Sequence, residues 1–195
     1  MCSSQKENTD LIFLLYQDNR TVFRLTDIAL LLGESNFRSL KDRLNYYVRT
    51  GKLQNPRKGI YTKQNYSKEE LACRIFTPAY ISLEYVLQKA GVVFQYDSQI
   101  SVVSYLSRRV EVENQSFLFR KIKGEILVCT QGIICNTNNV NEATVERAFL
   151  DVIYLNGVSY FDNLRPLDKA QVYKLLPLYR SKILTKRVNK ILPND

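Results

Sequence analysis

The chain has 195 residues, 45% of them hydrophobic, and carries 28 Lys and Arg against 19 Asp and Glu, a formal net charge of +9. That much apolar material can bury a proper core, which excludes a disordered chain, and the length suits one domain or two small ones. There is no histidine, which removes the Ser-His-Asp and Cys-His arrangements, the commonest general base and the commonest transition-metal ligand.

In chain order, residues 7–17, with Leu11, Ile12, Leu14 and Leu15, suit a first helix, and Thr21–Arg24 suits a strand that can join a later hairpin. A helix is expected from Thr26, whose hydroxyl can cap it and whose neighbour Asp27 favours the positive helix end, to Gly33. The next runs from Phe37 to Thr50, with Ser35 or Asn36 as cap and Gly51 closing it in a left-handed conformation. On it Phe37, Leu40, Leu44, Tyr47 and Val48 share one stripe, while Arg38, Ser39, Asp42, Asn45, Tyr46 and Arg49 point the other way. The first set is expected in the core and the second is free to meet a partner. Lys52–Gln54 and Gly59–Thr62 read as the strands of a hairpin, with Pro56 and Gly59 shaping the turn and Arg57 and Lys58 at its tip. Helix, turn, helix and basic hairpin in this order form a winged helix-turn-helix, an arrangement that binds duplex DNA more often than anything else.

The first domain is expected to end near Tyr66, so that residues 1–66 and 67–195 form two domains. Ser67 can cap a helix over KEELACRIF, and TPAYISLEYVLQKAG reads as a second helix started by Pro78 and ended by Gly91. From Val92 to Cys135 the runs VVFQY, ISVVSYL, RRVEVE, SFLFRKI and EILVCT are rich in β-branched and aromatic residues and predict an antiparallel sheet. Ala143–Leu155 is amphipathic, with Val145, Ala148, Phe149, Val152 and Ile153 as its buried stripe; Leu167–Leu192 is helical, with breaks at Pro166 and Pro177. The fold class is α+β, a winged helix-turn-helix followed by a mixed domain with an antiparallel sheet and flanking helices.

Charge is unevenly spread. From Arg20 to Lys63 there are ten Lys and Arg against three acids, a net +7. Such a patch releases counterions condensed on phosphate, and each neutralised phosphate adds roughly 0.9 to the slope of log K against log salt. The expected DNA-binding residues are Ser35, Asn36, Arg38, Ser39, Lys41, Asp42, Arg43, Asn45, Tyr46, Arg49, Lys52, Arg57 and Lys58. Lys41, Arg43 and Arg49 suit phosphate, which sets register; Arg38 suits guanine, Asn45 adenine, and Asp42 can accept from cytosine N4. The segment Arg165–Lys190 is basic too, eight Lys and Arg against one acid, and Arg180, Lys182, Lys186, Arg187 and Lys190 form a second basic face suited to DNA or to an acidic protein.

Little points to catalysis. No paired carboxylates and no Gly-rich phosphate loop are present. Asp97, before ISVVSYL, lacks the second carboxylate and lysine that a metal-dependent nuclease needs at short spacing. Cys2, Cys73, Cys129 and Cys135 form no C-x-x-C pair, so buried thiols are expected rather than disulfides or zinc ligands. No apolar run approaches the roughly 20 residues that span a bilayer, and LIFLLY at 11–16 lacks the flanks of a signal peptide, so a cytoplasmic protein without a metal, cofactor or membrane partner is expected.

The chain resembles the AbiEi-type antitoxins of bacterial type IV toxin-antitoxin (abortive infection) systems. The resemblance rests on VRTGKLQNPRKGIYT, on TPAYISLEYVLQKAG, on the strands ISVVSYLSRRVEV and FLFRKIK, and on TVERAFLDVIYL with its E-R-A-x-x-D pattern. It implies a non-enzymatic autorepressor whose winged helix binds inverted repeats in the operon promoter. It also implies that the C-terminal domain counters a nucleotidyltransferase-like toxin without a stable complex. Two copies on the operator would be compatible with a monomer in solution. By position, Asn36–Arg49 maps to the recognition helix, Lys52–Tyr61 to the wing, and Glu84, Glu146, Arg147 and Asp151 to second-domain motifs, where an internal salt-bridge set is favoured over a direct role. Where the family commonly has His-Gly, this chain has Lys89, Ala90 and Gly91. The alternatives are a nucleic-acid-processing enzyme, nuclease-like and metal-dependent, or a winged-helix protein-interaction module.

Overall fold

The structure is a computed structural model that describes residues 11–136, 139–157 and 159–193. It is α+β and divides after Ser67 into two compact units.

In the first unit the order is α1 (Leu11–Gln17), β1 (Val22–Arg24), α2 (Leu25–Leu32), α3 (Phe37–Arg49), β2 (Gln54–Arg57) and β3 (Ile60–Thr62). Residues 7–10 of the expected first helix lie outside the described residues. The three strands form an antiparallel sheet in the order β1-β3-β2, with Phe23 opposite Tyr61. Leu11 and Leu15 of α1, Phe23, Ile28, Leu40, Leu44, Leu53 and Tyr61 build one buried cluster, against which Tyr47 and Val48 pack half-buried. Phe37, expected in that core, is 49% exposed. It is the first residue of α3, and a helical side chain leans toward the N-terminus, beyond the turn that Leu40 and Leu44 anchor.

Two boundaries differ from expectation. Thr26 does not cap α2: the helix starts at Leu25, directly after β1, and the Asp27 carboxylate accepts from the Arg24 backbone N–H at 3.4 Å. Pro56 and Arg57 lie within β2, not at the hairpin tip. Proline donates no ladder hydrogen bond, and it falls where the register between β2 and β3 shifts, a position that tolerates the missing donor. The turn is thereby reduced to Lys58 and Gly59, the latter at φ +79°.

The second unit comprises α4 (Lys68–Ile75), β4 (Ala79–Ile81), α5 (Glu84–Lys89), β5 (Ile100–Ser104), β6 (Arg108–Val112), β7 (Gln115–Lys121), α6 (Gly124–Leu127), β8 (Ile133–Cys135), β9 (Asn141–Ala143), α7 (Val145–Asn156), α8 (Lys169–Leu175), a 3-10 turn over Leu176–Tyr179, and α9 (Lys182–Ile191). Six strands form one sheet in the order β6-β7-β5-β4-β9-β8. The sheet is mixed rather than antiparallel: β5 runs parallel to β7 and β4 parallel to β9. The five residues of β5 are all buried, as expected of a strand covered on both faces. β6 and β7 form a hairpin turned by Glu113 and Asn114, both at positive φ, the requirement of a two-residue primed turn.

Three further segments differ from expectation. Pro78 opens a strand, not a helix, because Ala79, Tyr80 and Ile81 are buried and paired with β5, Ile81 also with β9, leaving only Glu84–Lys89 helical. VVFQY is no strand: Val92 is buried, but Phe94 and Tyr96 stand exposed on a loop. EILVCT contains α6, since adjacent Ile126 and Leu127 are both buried, which a helical turn permits and an alternating strand does not. Helix α7 packs against α5, α8 and α9, and Val172, Leu184 and Val188 are buried on the inner faces of the last two.

Candidate nucleic-acid interface

Helix α3 is set by its ends. Gly33, at φ +59°, closes α2, and the Glu34 N–H reaches back to the Ala29 carbonyl at 2.9 Å, the reverse turn of a Schellman-type cap. Asn36 then caps α3: its Oδ1 accepts from Ser39 N–H at 3.1 Å. At the other end Arg49 falls in the last turn, where a cation favours the helix dipole, and Gly51 turns the chain at φ +70°.

With Leu40 and Leu44 fully buried, the opposite face of α3 is fixed. Arg38, Asp42, Asn45 and Arg49 recur at i, i+4, i+7 and i+11 along it, all exposed, flanked by exposed Lys41 and Tyr46. Among the described residues the side chains of Arg38, Lys41, Asp42, Arg43, Asn45 and Arg49 make no hydrogen bond or ion pair. Ser35, Asn36 and Ser39 are exposed at the helix start, whereas Arg43 is half-buried.

The hairpin is braced from below. The Asn55 amide donates to the Arg57 and Ile60 carbonyls at 3.1 and 2.7 Å, and the Leu25 N–H donates to Gly59 at 3.0 Å. Tyr16 of α1 donates its hydroxyl to the Lys52 carbonyl at 2.8 Å, and the Lys52 ammonium sits 5.7 Å from the Tyr47 ring centroid. Lys58 is exposed at the tip, while Arg57 is half-buried in β2. Lys52 and Lys58 are therefore presented to solvent and Arg57 only partly.

The second basic segment is divided. Lys182, Lys186 and Lys190 are exposed on α9; Arg187 is half-buried and donates to the Ile153 carbonyl at 3.2 Å; Arg180 pairs with Glu125 at 3.2 Å, both well exposed.

The second-domain motif residues separate into two pairs. Glu84 accepts from the Asn156 amide at 2.8 Å, and Glu146 from the Asp168 backbone N–H at 3.3 Å, both near the surface. Arg147 and Asp151 are completely buried and lie 3.5 Å apart, Nε to Oδ1. Asp151 also accepts from the hydroxyls of Tyr179, Ser82 and Tyr80 at 2.6, 2.8 and 3.0 Å. Arg147 donates to the carbonyls of Gln131 and Ile126, each at 2.8 Å, and to the Tyr80 hydroxyl at 3.2 Å. Burial pushes the Asp151 carboxyl up from its ordinary value, while Arg147 and the three hydroxyls pull it down. The charges are matched inside the core, which gives this pair a structural role. Sequence reasoning missed Tyr80, Ser82 and Tyr179, because nothing in spacing brings β4 and the 3-10 turn to α7.

Among the described residues no group of three or more His, Cys, Asp or Glu is placed to hold a metal ion. Asp97 is exposed on a loop, its carboxylate accepting from Gln99 N–H at 2.9 Å. All the cysteines are expected to be buried; among the described ones Cys73 is, its thiol pushed up to about 12 by that burial, whereas Cys129 is half-buried, Cys135 is exposed on an edge strand, and Cys2 lies outside the described residues. A cleft of about 440 Å³ lies between Gln131, Thr144, Glu146, Gln171 and Lys174. Among the described residues no helix is long and apolar enough to cross a membrane.

No protein-family model matches the chain, and no curated protein matches it in sequence. The crystal structure of RV2827C protein from Mycobacterium tuberculosis is similar in fold, with a TM-score of 0.54 at 12% identity over 93% of this chain and 74% of that one. At that identity the likeness bears on the fold alone.

Proposed function

We propose that the first unit is a winged helix-turn-helix that binds duplex DNA, and that the protein is a non-enzymatic transcriptional autorepressor. The observation that carries this reading is the outer face of α3, where exposed Arg38, Lys41 and Arg49 have no partner among the described residues and stand beside Asn45, a residue suited to base edges. An acid three or four residues away can offset such a cation; Asp42 stands four residues after Arg38, but Lys41 and Arg49 have no acid at that spacing. The hairpin tip adds Lys58 and the helix start adds Asn36 and Ser39, groups able to position a phosphate backbone. The antitoxin half of the reading, a second unit that counters a nucleotidyltransferase-like toxin, rests on the motif resemblance.

The test is a titration of the full chain against its own upstream DNA and a scrambled duplex of equal length, over about 50 to 300 mM salt. A repressor prefers the upstream DNA and loses affinity steeply with salt, on the order of a thousandfold between about 50 and 200 mM if six phosphates are neutralised. Equal affinity for both duplexes sinks the repressor, and none for either sinks the duplex-binding unit as well and leaves an interaction module.

A further inference from the structure

We propose that the second unit carries a binding site for single-stranded nucleic acid, formed by Phe94, Tyr96 and Tyr160 together with the lysine stripe of α9. It is separate from the duplex-binding reading of the first unit and does not depend on it.

Large aromatic side chains are normally buried, and a cluster left in solvent marks an interaction site. Phe94 is 67% exposed, Tyr96 82% and Tyr160 84%. They belong to two loops distant in sequence whose chains are joined by hydrogen bonds. The Asp162 and Asn163 N–H groups donate to the Val92 carbonyl at 3.0 and 3.2 Å, the Phe94 N–H donates to the Asp162 carboxylate at 2.8 Å, and the Asn163 amide donates to the Gly91 carbonyl at 3.3 Å. The later loop leaves α7 at Gly157, where an added methyl would meet the Arg187 guanidinium at 3.5 Å. That contact sets the start of the later loop against Arg187 of α9.

Helix α9 supplies charge of one sign. Its cap is Ser181, whose hydroxyl accepts from Leu184 N–H at 3.2 Å, and Leu184 and Val188 fix the buried face. Lys182, Lys186 and Lys190 are exposed at i, i+4 and i+8, so their Cα atoms rise by roughly 6 Å per step along the axis. No acid occurs from Lys169 to Pro193. Flat rings able to stack beside a row of cations able to follow phosphates are the two requirements of sequence-tolerant single-strand binding. A duplex conceals its base faces in the stack and would use the lysines only. An acidic protein would do the same.

The probe is a labelled oligothymidylate of roughly 12 nucleotides, a length within the range that single-strand sites cover, titrated against the full chain at low salt with a duplex control. The expected result is binding that Tyr96→Ala with Tyr160→Ala weakens about tenfold or more, through lost stacking, while Tyr160→Phe stays within about twofold. Lys182→Ala with Lys186→Ala should flatten the salt slope by about 1.4, roughly 0.7 for each phosphate contact on a single strand. In the first unit, Arg38→Ala with Lys58→Ala should leave oligothymidylate affinity unchanged, so failure of one site is distinguishable from failure of the other. The proposal is overturned if the oligonucleotide does not bind, if the double tyrosine variant binds as the parent does, or if only the first-unit variant loses binding. All substituted side chains are exposed, and matching circular dichroism spectra confirm that the variants fold.

Discussion

Arg38 and Arg147 are the same residue on amphipathic helices of similar length, 13 residues in α3 and 12 in α7, yet they meet opposite fates. Arg38 stands in water without a partner among the described residues. Arg147 is fully buried, with two carbonyls, a phenol and the Asp151 carboxylate around it. Burying a cation is tolerated only where its charge is matched and most of its hydrogen bonds are made nearby; here Nε makes no hydrogen bond but lies 3.5 Å from the Asp151 carboxylate, and the second arginine is committed to its own fold. The exposed one is uncommitted, and its energy is free for an external phosphate or base. Charge on a helix therefore says little about function until its burial is known.

That contrast can be broken most severely at Arg147. Arg147→Ala leaves the Asp151 carboxylate buried without its cation and should lower stability by about 3 to 5 kcal/mol, read from urea unfolding by circular dichroism. A loss under roughly 1 kcal/mol would mean that the hydroxyls alone hold the site. Arg38→Ala should show the reverse pattern: no change in the unfolding midpoint, but a loss of about 1 to 3 kcal/mol of preference between cognate and altered base pairs. Unchanged discrimination would move the reading surface away from α3. Lys58→Ala should weaken cognate and scrambled duplexes alike and reduce the salt slope by about 0.9, because a tip lysine meets only phosphate. The smallest effect concerns the thiols: because burial raises the Cys73 thiol to about 12, it stays protonated below that pH, so native alkylation near pH 8 should label Cys135 and spare Cys73. Peptide mapping would decide it.

The local chemistry of α3 is legible in the residues themselves, since Asn36 and Gly51 mark its ends and the period of Leu40 and Leu44 marks its inner face. The pairing of Thr21–Arg24 with the hairpin is legible too, and β1 does lie against β3. The break at Pro177 falls where a missing N–H and a fixed φ interrupt a helix. Elsewhere two neighbouring signals compete. Pro78 suits a helix start and a strand start equally, and only burial of Tyr80 and Ile81 between two partner strands selects the strand. In EILVCT a β-rich composition loses to adjacent buried residues and to the Arg147 bond on the Ile126 carbonyl.

By itself the sequence determined the α+β class, the helices of the first unit, the two basic segments and the absence of histidine chemistry. These follow from composition, caps and short-range periodicity, which act within a few residues. Tertiary structure alone decided that β5 and β7 run parallel, that Arg147 and Asp151 are enclosed by Tyr80, Ser82 and Tyr179, and that the loop of Phe94 is bonded to Asp162. Each of these joins residues far apart in the chain, and a local pattern carries no record of which distant surface will cover it.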